Sequence, residues 1–167
     1  MSICFSFSVL FQIKYSAYSY IMKMNIMRLN LYAPLFYQSD ESLAPFDYST
    51  LTSESLFCFE LSASQCNTIE PDASCFIQRL LFKGKAIPSP SSQVDTELPA
   101  GKYVFAQEWG EISKEDTLFM ALEVQKEGLW ERLDLDNRLY VRYLVEDGKQ
   151  VTQIFRPYVC ELEDEEE

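Results

Sequence analysis

Leu98-Pro99-Ala100-Gly101-Lys102-Tyr103-Val104-Phe105 opens a stretch, ending at Phe155-Arg156-Pro157-Tyr158, on which the fold of this chain turns. Pro99 and Gly101 punctuate a turn. From Lys102 to Trp109, Tyr103, Phe105 and Gln107 alternate with Val104, Ala106 and Glu108, the two-residue period of a strand. Ser113 is a good helix N-cap, with Glu115 and Asp116 in the first turn, where the macrodipole favours acids. Leu118, Ala121, Leu122 and Gln125, flanked by Phe119, share one face that should bury on a sheet. Gly128 offers a left-handed stop after Lys126. Arg138 to Glu146 reads as a strand, Asp147-Gly148 as a type I′ turn, and Gln150 to Tyr158 as the strand that pairs back. The stretch is a β-α-β-β unit.

The chain before it is less regular. Asn25 to Phe36 alternates like a strand that Pro34 ends or places at an edge. Gln38 to Pro45 reads as a polar loop, and Asp47 to Ser55 as a loop or one helical turn. Leu56 to Leu61 is apolar on both faces and so belongs in the centre of a sheet. Ser62 to Ser74 is polar, with a turn at Glu70-Pro71-Asp72, and Cys75 to Phe82 is a third strand from which Lys83-Gly84-Lys85 turns out. Ala86 to Glu97, with Pro88 and Pro90 among serines, reads as a linker. The expected architecture is α+β: an antiparallel sheet with one or two helices packed on one face. One domain spans 24–160, divided into a first half (24–85), the linker (86–97) and the β-α-β-β unit (98–160). No strong amphipathic helix occurs in the first half, which either repeats the unit in diverged form or folds differently.

Residues 1–23 fit this domain poorly. Ile3 to Ile13 is mostly apolar, but no basic residue precedes it and no good cleavage site follows. It is also shorter than the ~20 residues needed to cross a bilayer. Met22, Met24 and Met27 follow, so the segment is read as an extension upstream of the true start, with a degenerate signal as the rival.

Charge and cysteine usage narrow the function classes. A formal charge of -12 argues against nucleic acid, whose phosphates demand Lys and Arg, and against an anionic membrane surface. Six of the acids fall in the last seven residues, 161–167, which read as a disordered tail. The five cysteines lack C-x-x-C spacing and the chain has no histidine, so the usual zinc sites lack their ligands. Reduced thiols in a cytoplasmic protein are expected, with Cys58–Cys66 or Cys66–Cys75 as the candidate disulfides if the chain is exported. No catalytic motif, metal loop or cofactor fingerprint occurs, and neither an enzyme nor a cofactor is expected.

Three pieces of the unit together resemble a known family. Leu98-Pro99-Ala100-Gly101-Lys102-Tyr103-Val104 is similar to the opening of the second repeat in gyrase-inhibitor-like (GyrI-like) effector-binding domains. Tyr140-Val141-Arg142-Tyr143-Leu144 is similar to their aromatic–acidic–x–Tyr–Leu strand, and Thr152-Gln153-Ile154-Phe155-Arg156-Pro157 to their closing strand. The likeness covers about residues 98–158. It implies paired β-α-β-β units framing a hydrophobic cleft for apolar, often cationic, small molecules. Val141 stands where the family has a glutamate, which removes the carboxylate that would pair with a cation. The related haem-binding branch is disfavoured by the lack of histidine.

The function expected from these readings is non-catalytic binding of a hydrophobic small molecule. Tyr103, Phe105, Trp109 and Tyr140 are the candidate lining aromatics, Glu108 the candidate replacement charge, and Arg142 an anion ligand or the ion-pair partner of Glu108 or Asp134. Each has a plainer reading as core packing or a solvated charge. The alternative is an acidic protein-interaction or inhibitor module, with the tail as bait for a basic protein partner.

Overall fold

The computed structural model describes residues 26–51, 53–87 and 94–162. The readings of 1–23, of the linker's centre and of 163–167 lie outside these residues. Among the described residues nine strands and one α-helix follow in order: β1 (Met27–Leu31), β2 (Leu35–Ser39), β3 (Glu54–Leu61), β4 (Ile77–Ala86), β5 (Thr96–Leu98), β6 (Gly101–Trp109), α1 (Lys114–Trp130), β7 (Leu133–Leu135), β8 (Arg138–Glu146) and β9 (Lys149–Glu161). A single 3₁₀ turn, Ala73–Cys75, precedes β4. Strands β1 to β9 form one antiparallel sheet in the order β1-β6-β9-β8-β3-β4-β2-β5, with β7 paired to β9 beyond the end of β8. The α+β class and the helix on one face are as the sequence leads one to expect.

The β-α-β-β unit has the predicted pairings. β6 runs antiparallel to β9 from Lys102↔Tyr158 to Trp109↔Val151, and β8 pairs with the other edge of β9. Asp147 and Gly148 both have positive φ, as the type I′ turn requires. Ser113 accepts a hydrogen bond from the Asp116 N–H at 3.0 Å, so the N-cap is real.

Several boundaries move. Gln38 and Ser39 belong to β2, and Glu54 and Ser55 to β3. Lys83-Gly84-Lys85 is not a turn but continues β4, pairing with β3 and β2. Gly84 is needed there for close approach: a Cβ would lie 2.7 Å from Thr96 Oγ1. The helix also runs through Gly128, whose missing Cβ makes room for Leu135 at 2.8 Å. The left-handed residue after the helix is Arg132. Of the predicted stripe Ala121, Leu122 and Gln125 are buried, while Leu118 and the flanking Phe119 are only half-buried; Thr117, Met120, Val124 and Gly128 widen the buried face. Of the acidic tail, Glu161 ends β9 and pairs with Arg28.

Two short links curl the sheet. Pro99-Ala100 joins β5 to β6, and residues 32–34 join β1 to β2, although each pair lies near opposite ends of the strand order. A two- or three-residue link cannot span a flat sheet of that width. The sheet therefore bends into a half-barrel. Its inner face buries Tyr37, Leu56, Cys58, Leu98, Tyr103, Tyr140 and Phe155. Its outer face packs Phe57, Phe59, Leu61, Val141 and Ile154 against Met120, Ala121 and Val124 of α1.

Candidate functional site

Strand alternation decides where the predicted residues point. Tyr103, Phe105, Tyr140 and Arg142 all come to the inner face, and Trp109 follows them at the end of β6, 48% exposed. Glu108 is one residue out of phase. It lies opposite Thr152, whose hydroxyl meets Tyr48 on the helix side, so Glu108 does not join the others. The inner aromatics pack against one another: Tyr103 meets Tyr140 at 6.3 Å and Phe155 at 5.5 Å edge to face, and Phe105 meets Phe155 at 5.0 Å. Such contacts fill space with favourable ring geometry and leave these rings little free surface. Burial raises the phenol pKa of Tyr103, and lifts that of Tyr140 to about 12 and the Cys58 thiol to about 12.

Arg142 pairs with neither Glu108 nor Asp134. Its Nε and Nη2 donate to Glu54 Oε1 at 2.9 and 2.6 Å, its Nε also reaches Tyr37 Oη at 2.9 Å, and its Nη1 donates to Gln153 Oε1 at 2.9 Å. Tyr37 donates to Glu54 Oε1 at 2.6 Å, and Gln153 Nε2 donates to Gln107. Burial works against the Arg142 charge, but the Tyr37 and Glu54 oxygens outweigh it and hold its pKa above the usual guanidinium value. The network crosses the curl from β2 and β3 to β8, β9 and β6, tying the half-barrel together. Glu54 is the carboxylate of this network. It sits in a Ser-rich stretch with no strand periodicity before it, so only the long-range pairing of β3 with β8 reveals it.

A second network lies under the helix. Arg156 is fully buried and donates to Asp136 O at 2.5 Å, Gln125 Oε1 at 2.7 Å and Cys66 O at 2.9 Å. Gln125 donates in turn to Gln65 O and Thr68 O. Burial lowers the Arg156 pKa to about 10. Cys58, Cys66, Cys75 and Cys160 are free thiols, so neither candidate disulfide is formed.

Two clefts open on these faces. The smaller, about 370 Å³, lies at the mouth of the curl between Phe82, Pro99, Arg138 and Tyr140, with Asp95 and Glu97 on its rim. Opposite charges share its wall. The larger, about 520 Å³, lies on the outer face beside the N-terminal half of α1. Phe46 and Phe59 form its floor, stacked at 5.9 Å with their planes 14° apart. Pro45, Ala73, Ile77 and Leu118 make apolar walls, and Ser74 and Lys114 are its polar groups. Phe46 reaches this position with φ of 67°, a conformation rare for a bulky side chain and held here by Leu43, Tyr48 and the Phe59 ring packed around the same core. None of the predicted site residues lines this cleft. Leu118 and Phe59 were legible only as core, and Phe46 falls between the segments read as loop, Gln38 to Pro45 and Asp47 to Ser55.

Among the described residues no helix is long and apolar enough to cross a membrane. No protein-family model matches the chain, and no curated protein matches it.

Proposed function

We propose that this protein is a non-catalytic small-molecule-binding domain whose ligand lies in the cleft over Phe46 and Phe59. The observation that carries this reading is the cleft itself: about 520 Å³, apolar on its floor and walls, with two polar groups at its edge. Ligand sites are concave, mainly apolar and about 300–1,000 Å³, with a few polar groups to fix orientation. The cleft offers binding but no nucleophile with a base. Ser74 Oγ donates to Asp72 at 2.7 Å, the geometry of a local turn, and Lys114 is exposed. The likeness of residues 98–158 to GyrI-like effector domains points to the same class of function. On this reading the inner aromatics Tyr103, Phe105 and Tyr140 hold the scaffold, and the recess beside the helix takes the ligand.

A thermal-shift screen of flat hydrophobic compounds tests the proposal. A ligand present at 100 times its Kd stabilises the fold by about 2.7 kcal/mol, which is readily seen as a raised midpoint. The same ligand should shift the methyl resonances of Ala73, Ile77 and Leu118. If no compound raises the midpoint, or if those methyls stay still while it rises, the cleft is not the site.

A further inference from the structure

Resting on that reading of the cleft, we propose that its ligand is a planar apolar molecule bearing a carboxylate, with the anionic end at Lys114. Among the residues lining the cleft Lys114 is the one ionisable group. Its ammonium lies over the Phe46 ring, 5.9 Å from the centroid, and makes no ion pair among the described residues. Among these residues Lys102 and Lys149 also make no ion pair but do not line this cleft, and four further cations of the sheet are paired. Lys83 and Lys85 face Glu41 and Asp40, Arg79 faces Glu60, and Arg142 is bonded to Glu54. In a chain with 26 acids and 14 basic side chains, a lysine left unpaired beside an apolar cleft has its charge available to an incoming anion.

The geometry selects the rest of the ligand. The Phe46 and Phe59 rings are stacked with their planes 14° apart, and a third flat ring can continue that stack by offset packing. Ile77 and Leu118 bound that floor, and Lys114 stands one helical turn before Leu118, above Phe46. A cationic ligand, the kind implied by the family resemblance, meets the Lys114 charge here and finds no carboxylate on the wall. An amphipathic carboxylate gains both the stack and a charge-assisted hydrogen bond.

Three compounds with one ring system separate the possibilities on the full chain: 2-naphthoate, 2-naphthylmethanol and 2-naphthylmethylammonium, titrated by calorimetry with methyl chemical shifts followed in parallel. The carboxylate should bind about fivefold tighter than the alcohol, the scale of a solvent-exposed ion pair, and the ammonium weakest. Lys114→Gln should remove the preference for the carboxylate, and Lys114→Glu should reverse the order of carboxylate and ammonium. Equal binding of the three compounds, or a carboxylate preference that survives Lys114→Gln, overturns the head-group assignment and leaves the cleft standing. Absence of binding by all three, with no shift at Ile77 or Leu118, removes the cleft reading itself.

Discussion

Arg156 has no accessible surface, and none of its three hydrogen-bond partners is a carboxylate. A buried guanidinium is tolerated only when its donors are met, and here they are met by the carbonyls of Asp136 and Cys66 and by the amide oxygen of Gln125. Its value to the fold is therefore geometric: one side chain of β9 fixes α1, the loop at Cys66 and the approach to β8. Arg156→Met keeps most of the volume but strands two buried acceptors and one part-buried acceptor, each buried one costing about 1–3 kcal/mol if nothing replaces the donor. Part of that cost is returned because the charge is no longer buried, so a net loss of about 3 kcal/mol in urea denaturation is expected. Gln125→Leu should also destabilise, and the double variant should lose less than the two single losses combined, because Gln125 Oε1 and Arg156 Nη1 are partners. Strict additivity would show that the two residues act independently. The Tyr37–Glu54–Arg142 cluster is a different case: its carboxylate and guanidinium neutralise each other at the open end of the curl, and a surface-facing remainder keeps both hydrated.

Helix α1 depends on its start more than on its end. Ser113 closes the first turn through Asp116, and the Ser113 carbonyl accepts from Thr117 Oγ1 as well as from its backbone N–H, both at 2.9 Å. Ser113→Ala should cost about 1 kcal/mol and Ser113→Gly only a few tenths, measured as a shift of the denaturation midpoint at unchanged slope. Equal losses from the two variants would mean that the hydroxyl is not the capping group. Elements of this kind were legible because their signals are local: a cap three residues from its partner, an Asp-Gly turn between two strands, a period-two run in β6. Elements set by distant packing were not. Gly128 carries the usual mark of a helix end, yet it is retained because Leu135, on β7, lies against the helix at that point. Gly84 carries the mark of a turn, yet it lies in β4 where the Thr96 side chain of β5 and the Tyr37 and Gln38 atoms of β2 come too close for a Cβ. Glu54 and Phe46 took their places through pairing with β8 and stacking on Phe59, neither of which has a sequence spacing that could announce it. The inner face was thus legible, because aromatic alternation marks a buried sheet surface, and the outer cleft was not, because its floor is assembled from a loop and a strand.

At the scale of the molecule, two short links force a nine-strand sheet to close on its own aromatic residues, and that closure has a consequence at alkaline pH. On the inner face Tyr37 and Tyr103 have phenol pKa values raised by burial, Tyr140 reaches about 12 and Cys58 about 12, and burial in the helix-side core raises that of Tyr143 as well. Unfolded, these groups ionise near 10 for tyrosine and 9 for cysteine. Between those values and about 12 the unfolded chain binds fewer protons than the folded one, so stability is complete below pH 9 and falls as pH rises. Each group contributes at most about 1.4 kcal/mol per pH unit. Arg156 has the opposite sign, since its lowered pKa lets the folded state shed a proton first above pH 10, and it offsets only one of the five. The melting midpoint should therefore drop steeply between pH 10 and 12. Phenolate absorbance from Tyr37, Tyr103, Tyr140 and Tyr143 should appear only late, coincident with loss of circular dichroism. A single smooth titration of all ten tyrosines centred near 10, complete before the dichroism changes, would mean that the inner face is open to water and that the half-barrel does not close.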